Sequence, residues 1–178
     1  MSGATVVSGS TYPDAACPSH RVPPAYAGRV TSQPITASTV VAAPPSTVFA
    51  ILSDPRQHAR IDGSGTVRGT VSGPERLVLG SEFGMDMKLG AAYKITNRVV
   101  EHETDRLIAW SHVGLHRWRY QLEPAVEGTR VTETWDLSAY PAPLRAVVRR
   151  WRGKATQQAI EATLVKLKDA AESDAPRA

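Results

Sequence analysis

A change of hydrophobic period part-way along the chain restricts its fold more than any other feature. Between Thr66 and Leu137 apolar residues fall at every second position in a series of short runs; beyond Pro141 and Pro143 they recur every three to four residues as far as Ala171. Period two places alternate side chains on one face of a strand, whereas a period of about 3.6 places them on one stripe of a helix. Half-buried strands followed by one long helix present two apolar surfaces, and each covers the other.

The clearest strand has Phe83, Met85, Met87 and Leu89 alternating with Glu82, Gly84, Asp86 and Lys88. Val67 to Val71 reads as an earlier strand, and Leu77 to Leu79 as a short piece before Gly80. Tyr93, Ile95, Asn97 and Val99 share a face of the next run. Leu107 to Val113 follows, with Trp110 and His112 pointing together either to the outside of the sheet or to its interior. His116, Trp118, Tyr120 and Leu122 share one face, as do Val131, Glu133, Trp135 and Leu137. Parallel crossovers need about a dozen residues, so the short turns between these runs make the neighbours antiparallel.

Ahead of the sheet, Ile35 to Val41 is strand-like, and Ser46 stands where a hydroxyl could cap a short helix through Val48, Phe49, Ile51 and Leu52. Asp54-Pro55 interrupts that helix, and a second short one runs through His58 and Ile61 to Gly63 and Gly65. In the last segment Leu144, Val147, Val148, Trp151, Ala155, Ile160, Leu164, Leu167 and Ala171 form the stripe expected to face the sheet. The fold class is therefore α+β: a curved antiparallel sheet wrapped around a long C-terminal helix, with two short helices near the start.

A length of 178 residues with 42% hydrophobic content suits one soluble domain. Residues 1–33, which include Pro13, Pro18, Pro23 and Pro24, read as a mostly irregular arm; 34–173 form the domain and 174–178 a frayed tail. The arm lacks the basic start and continuous apolar stretch of an export signal, and no later segment is apolar for long enough to cross a bilayer. Cys17 stands alone, so no internal disulfide forms, and a cytoplasmic location is expected. A net charge of +4 gives a mild preference for anions but is too small to imply nucleic acid.

Three local signatures carry a family resemblance: Ala42-Ala43-Pro44-Pro45-Ser46-Thr47-Val48-Phe49, then Leu52-Ser53-Asp54-Pro55, then the Gly128-Thr129-Arg130-Val131-Thr132 hairpin leading into Glu133-Thr134-Trp135. From Ile35 to Ala171 the chain resembles the START-like superfamily with the helix-grip fold, in particular the polyketide cyclase/dehydrase-like group called SRPBCC proteins. The resemblance implies a cavity between the long helix and the concave sheet. It does not select a reaction, since such proteins include cyclases, dehydratases, lipid carriers and hormone receptors.

Within that frame His116 and Tyr120 share the helix-facing side with Trp118 and Leu122. They would be polar handles in an apolar pocket, or else an edge histidine and a backbone-bonded tyrosine. Glu133 shares its face with Val131, Trp135 and Leu137; burial there would raise its pKa and prepare it as an acid or base, whereas a nearby Arg would keep it charged. Asp86 alternates to the exterior. Asn97 lies on the inner side and could orient a carbonyl. His102, His112 and His116 match no metal-ligand spacing, so no metal is expected, and no cofactor is implied.

Arg145, Arg149, Arg150, Arg152 and Lys154 form the densest basic run. Closely spaced cations attract phosphates. A solvated helix face whose Arg stems cover apolar surface accounts for the run more simply, because no basic stripe with interleaved aromatics exists elsewhere.

The functional reading is binding of a hydrophobic or aromatic small molecule, with cofactor-independent acid-base cyclisation, dehydration or isomerisation of a polyketide-like substrate by His116, Glu133 and Tyr120. Phe83, Met85, Met87, Tyr93, Asn97, Trp118, Trp135 and Trp151 are its expected ligand contacts. The alternative is a noncatalytic lipid or metabolite carrier, and a third reading is an interaction protein with a filled core.

Overall fold

In a computed structural model, which describes residues 34–176 except Val113 and leaves aside the side chains of Thr70, Val71 and Leu89, seven strands form one antiparallel sheet. They are β1 (Ile35–Val41), β2 (Val67–Ser72), β3 (Glu82–Leu89), β4 (Ala91–Glu103), β5 (Leu107–Ser111), β6 (Arg117–Ala125) and β7 (Gly128–Asp136). Their spatial order is β1-β7-β6-β5-β4-β3-β2, so each strand from β2 to β7 lies beside its sequence neighbour and β1 closes onto β7. Between β1 and β2 the chain forms the short helices α1 (Pro45–Leu52) and α2 (His58–Ile61), joined by a 3-10 turn over Pro55–Gln57. The long helix α3 (Ala142–Asp174) follows β7. The expected arm over residues 1–33 lies outside the described residues.

The order of elements is the one the periodicities dictate, with local differences. Ser46 does not cap α1: Pro44 occupies the N-cap with no side-chain bond, and the fixed proline backbone at Pro45 starts the helix instead. Leu77 to Leu79 forms no strand; Leu77 is instead buried beneath α1, its amide donating to the Ser53 carbonyl at 2.8 Å. α3 runs through Asp174 rather than fraying there, because Arg60 donates to both Asp174 carboxylate oxygens, at 2.7 and 3.0 Å.

The largest correction concerns α3. Ile160, Leu164, Leu167, Ala170 and Ala171 are buried, whereas Leu144, Val147 and Trp151 are 47%, 60% and 89% exposed. Trp151 precedes Ile160 by nine residues, about two and a half helical turns, so the two point to opposite sides. Where the sequence suggested one stripe there are two, out of phase. Gly153 and Thr156 turn inward in the middle of the helix, and a Cβ on Gly153 would lie 3.2 Å from Ile35 Cδ1.

The loop after α2 meets α3 even more closely. A Cβ on Gly63 would stand 2.2 Å from the Thr163 amide nitrogen, a separation that only glycine avoids. The Gly63 amide donates to Thr163 Oγ1 at 3.0 Å, and Lys166 Nζ donates to the Asp62 carbonyl at 2.6 Å. α1, α2 and the second half of α3 thereby cover the inner face of the sheet, whose outer face carries the ion pairs of Arg117 and Arg119 with Glu101 at 3.1 and 3.0 Å.

Candidate functional site

The strand registers bring the inward residues together rung by rung. Phe83 pairs with Asn97, Met85 with Ile95 and Met87 with Tyr93 across β3 and β4; Trp110 lies opposite Val99 on one side and Trp118 on the other. Tyr120 pairs with Glu133, and Trp118 with Trp135. Trp110 therefore belongs to the interior, the direction that alternation alone left open.

Burial falls along this face toward one end. Val99, Asn97, Phe83, Leu122 and Val131 are closed from solvent, Met87, Ile95 and Trp118 are half-buried, and Tyr93 is 43% exposed. The β3–β4 turn and the β5–β6 loop lie toward that end, the mouth of the concave face.

Below the mouth sits a buried acid. Tyr120 Oη donates to Glu133 Oε1 at 2.9 Å, while Glu133 Oε2 is buried without a partner among the described residues. Burial is the largest influence on Glu133 and raises its pKa; the Tyr120 hydrogen bond opposes it, the negative charge of Asp62 adds to it, and the result is about 8. The same burial, with the Glu133 charge beside it, pushes the Tyr120 phenol well above its ordinary value. Glu133 is thus neutral at pH 7 and able to donate a hydrogen bond or a proton.

An aromatic column leans on this pair. Tyr120 stacks on Trp110 with centroids 5.3 Å apart, Trp110 stacks on His58 at 4.8 Å, and His58 meets Phe83 edge-on at 5.4 Å. His58 is fully buried and bonds the Leu52 carbonyl through Nε2 at 2.9 Å, and its burial holds its pKa below the ordinary value. Helix position alone gives His58 no role, and its spacing of three from the buried Ile61 is the one signal in the sequence that it faces inward.

His116 occupies a different place from Glu133. It lies next to Tyr140, Nδ1 to hydroxyl 3.3 Å, with His112 edge-on at 4.4 Å and Trp135 at 5.5 Å. Burial, followed by the charges of His112 and Arg152, lowers its pKa to about 4. Four residues along β6 separate it from Tyr120, roughly 13 Å of strand, and the Trp118–Trp135 rung lies between. The structure brings Tyr120 and Glu133 together and places His116 apart from them, beside Tyr140.

The expected ligand contacts divide in the same way. Phe83, Met85, Asn97 and Trp135 are buried on the inner face, Met87 and Trp118 approach the mouth, and Tyr93 stands at its rim. Trp151 does not belong with them, because it projects from the exposed side of α3. Asn97 Nδ2, His112 Nδ1 and Trp135 Nε1 join Glu133 Oε2 as buried polar atoms without partners among the described residues. Surface hollows of about 380 and 350 Å³ lie elsewhere, beside Pro45 and Leu122 and beside Ala50 and Arg76, and neither is lined by Glu133 or Trp135. No group of three or more His, Cys, Asp or Glu side chains among the described residues is arranged to hold a metal. No described helix is long and apolar enough to cross a membrane.

Comparison with known proteins agrees with this architecture. The uncharacterized protein Rv0088 of Mycobacterium tuberculosis is 45% identical over 142 residues, covering 76% of this chain and 62% of that protein, so the chain spans less than two thirds of its relative. Among solved structures, a Rhodobacter sphaeroides protein superposes with a TM-score of 0.63 at 16% identity, covering 82% of this chain and 96% of the other. The protein NE0264 of Nitrosomonas europaea superposes with a TM-score of 0.61 at 14% identity, over 79% and 95%. At such identities the likeness is one of fold. Residues 32–172 match the sequence pattern described as polyketide cyclase / dehydrase and lipid transport, and the chain belongs to that family.

Proposed function

We propose that the protein holds a small apolar molecule carrying a neutral acceptor oxygen, such as a ketone, between the inner face of its sheet and the covering helices, and that it acts as a carrier. The observation behind this reading is the set of buried polar atoms without partners on an otherwise apolar face: Asn97 Nδ2, Trp135 Nε1, Glu133 Oε2 and His112 Nδ1. The first two only donate. A Glu133 carboxyl with a pKa of about 8 keeps its proton at neutral pH, so its free oxygen supplies a third donor.

Each buried donor left unpaired costs about 1–3 kcal/mol. A ligand oxygen reaching them removes that cost, and the surrounding Phe83, Met85, Trp110 and Trp118 accept an apolar body. A neutral acceptor suits the site better than an anion, because the charged residue that acts on Glu133 is Asp62, itself negative.

A second reading rests on the raised pKa of Glu133. An acid poised near neutrality and oriented by Tyr120 can protonate a carbonyl and assist cyclisation or dehydration without a cofactor. Glu133→Gln separates the two readings: a carrier retains binding and shows no turnover to lose.

Native mass spectrometry of the full chain purified from its natural host, followed by extraction of the retained molecule, tests the proposal. The expected adduct has an apolar body and a carbonyl or similar acceptor, with occupancy reduced in Asn97→Leu. An adduct without an acceptor oxygen, or one retained equally by Asn97→Leu, would count against it.

A further inference from the structure

We propose that the first three turns of α3 are a docking surface for anionic lipid membranes. Leu144, Val147 and Trp151, at spacings of three and four, form one apolar stripe that is 47%, 60% and 89% exposed. This stripe faces away from the side on which the later part of α3 is buried. Arg145 and Arg152 lie on one side of it and Arg150 and Lys154 on the other, while Arg149 falls on the side of Ile160.

The charge of this segment is unopposed. No Asp or Glu occurs between Asp136 and Glu161, and none of the five cationic side chains forms an ion pair or side-chain hydrogen bond with a described residue. Arg stems do not cover the stripe either, since Trp151 has the highest exposure of any aromatic residue described. An apolar ridge carrying Trp and bordered by cations on both flanks suits the boundary between lipid headgroups and acyl chains. Nucleic-acid phosphates would engage the cations but offer nothing to Leu144 and Val147.

The test is binding of the full chain to vesicles of phosphatidylcholine containing about one third phosphatidylglycerol, against vesicles of phosphatidylcholine alone. Binding is expected to the anionic vesicles, with a blue shift of tryptophan emission that Trp151→Phe removes while the protein still binds. Arg150→Ala with Lys154→Ala should weaken partitioning roughly 25-fold, at about fivefold per charge. Arg98→Ala with Arg130→Ala, both on the outer face of the sheet, should leave it within about twofold. Leu144→Asp with Val147→Asp should abolish binding at an unchanged melting temperature. Failure to bind anionic vesicles, equal binding to both vesicle types, or wild-type binding by that apolar double variant would overturn the proposal. A stable dimer split by the same variant would assign the face to a second copy of the chain instead.

Discussion

Tyr120 and Glu133 share a hydrogen bond of 2.9 Å across the β6–β7 ladder, and it occupies only one of the two carboxyl oxygens. Glu133 consequently sits in the fold as a protonated acid with one oxygen free, which makes stability depend on pH in a definite direction. Its pKa is about 8 in the folded protein and near the ordinary 4.5 when the chain unfolds. Between those values the folded protein keeps a proton that the unfolded chain has released, so stability falls as pH rises across that window. Melting temperatures of Glu133→Gln should lack this decline, and a parallel decline in the variant would assign the effect to another group.

Tyr120→Phe removes the hydrogen bond that opposes the raised pKa of Glu133. The Glu133 titration should move further upward, and the protein should lose about 1–3 kcal/mol of stability because Oε1 becomes an unpaired buried acceptor. Carboxyl carbon shifts of labelled Glu133, followed by NMR across pH, report the first effect and urea unfolding the second.

His116 acts in the opposite sense at acid pH. Its pKa is about 4 when folded against an ordinary 6.5, so the unfolded chain takes up a proton first and stability is lost as pH falls through that interval. His116→Gln should make the acid limb of a pH-stability profile shallower. His58 and His112 are also held below their ordinary value, so a residual limb should remain.

The two phases of α3 give opposite outcomes for the same change. Leu164→Asp places a carboxylate against a buried apolar surface and should cost about 4 kcal/mol or more, whereas Trp151→Asp should stay within about 0.5 kcal/mol. Chemical denaturation of the two variants checks both values.

Gly63→Ala should destabilise by about 1–3 kcal/mol, because its methyl group would meet the α3 backbone and the loop would have to move. Thermal unfolding measures this loss, and an unchanged midpoint would show that the loop yields to the methyl group without cost.

The sheet was legible in the sequence because one face of each strand is apolar and a slip of one residue would turn all of it outward. That constraint brought Phe83, Asn97, Tyr120 and Glu133 to the inner face. The phase change in α3 was not legible in the same way. Leu144 and Leu164 both look like core residues, and the small Gly153 and Thr156 that turn inward between them add little to a hydrophobic pattern. The stacking of His58 on Trp110 was beyond reach because it joins a short helix to a distant strand. The direction of Trp110 needed the pairing with Trp118, and the separation of His116 from Glu133 appears only when the rungs are counted.

The most direct test of ligand binding through the inner-face donors follows the four tryptophan indole N–H signals by NMR while a neutral aromatic ketone is added, with the hydrocarbon of the same shape as comparison. The Trp135 signal should move and saturate with the ketone, respond less to the hydrocarbon, and lose its preference in Asn97→Leu, while Trp151 stays still. A Trp135 signal that ignores both compounds, or follows them equally, would contradict the assignment of these donors to a ligand oxygen.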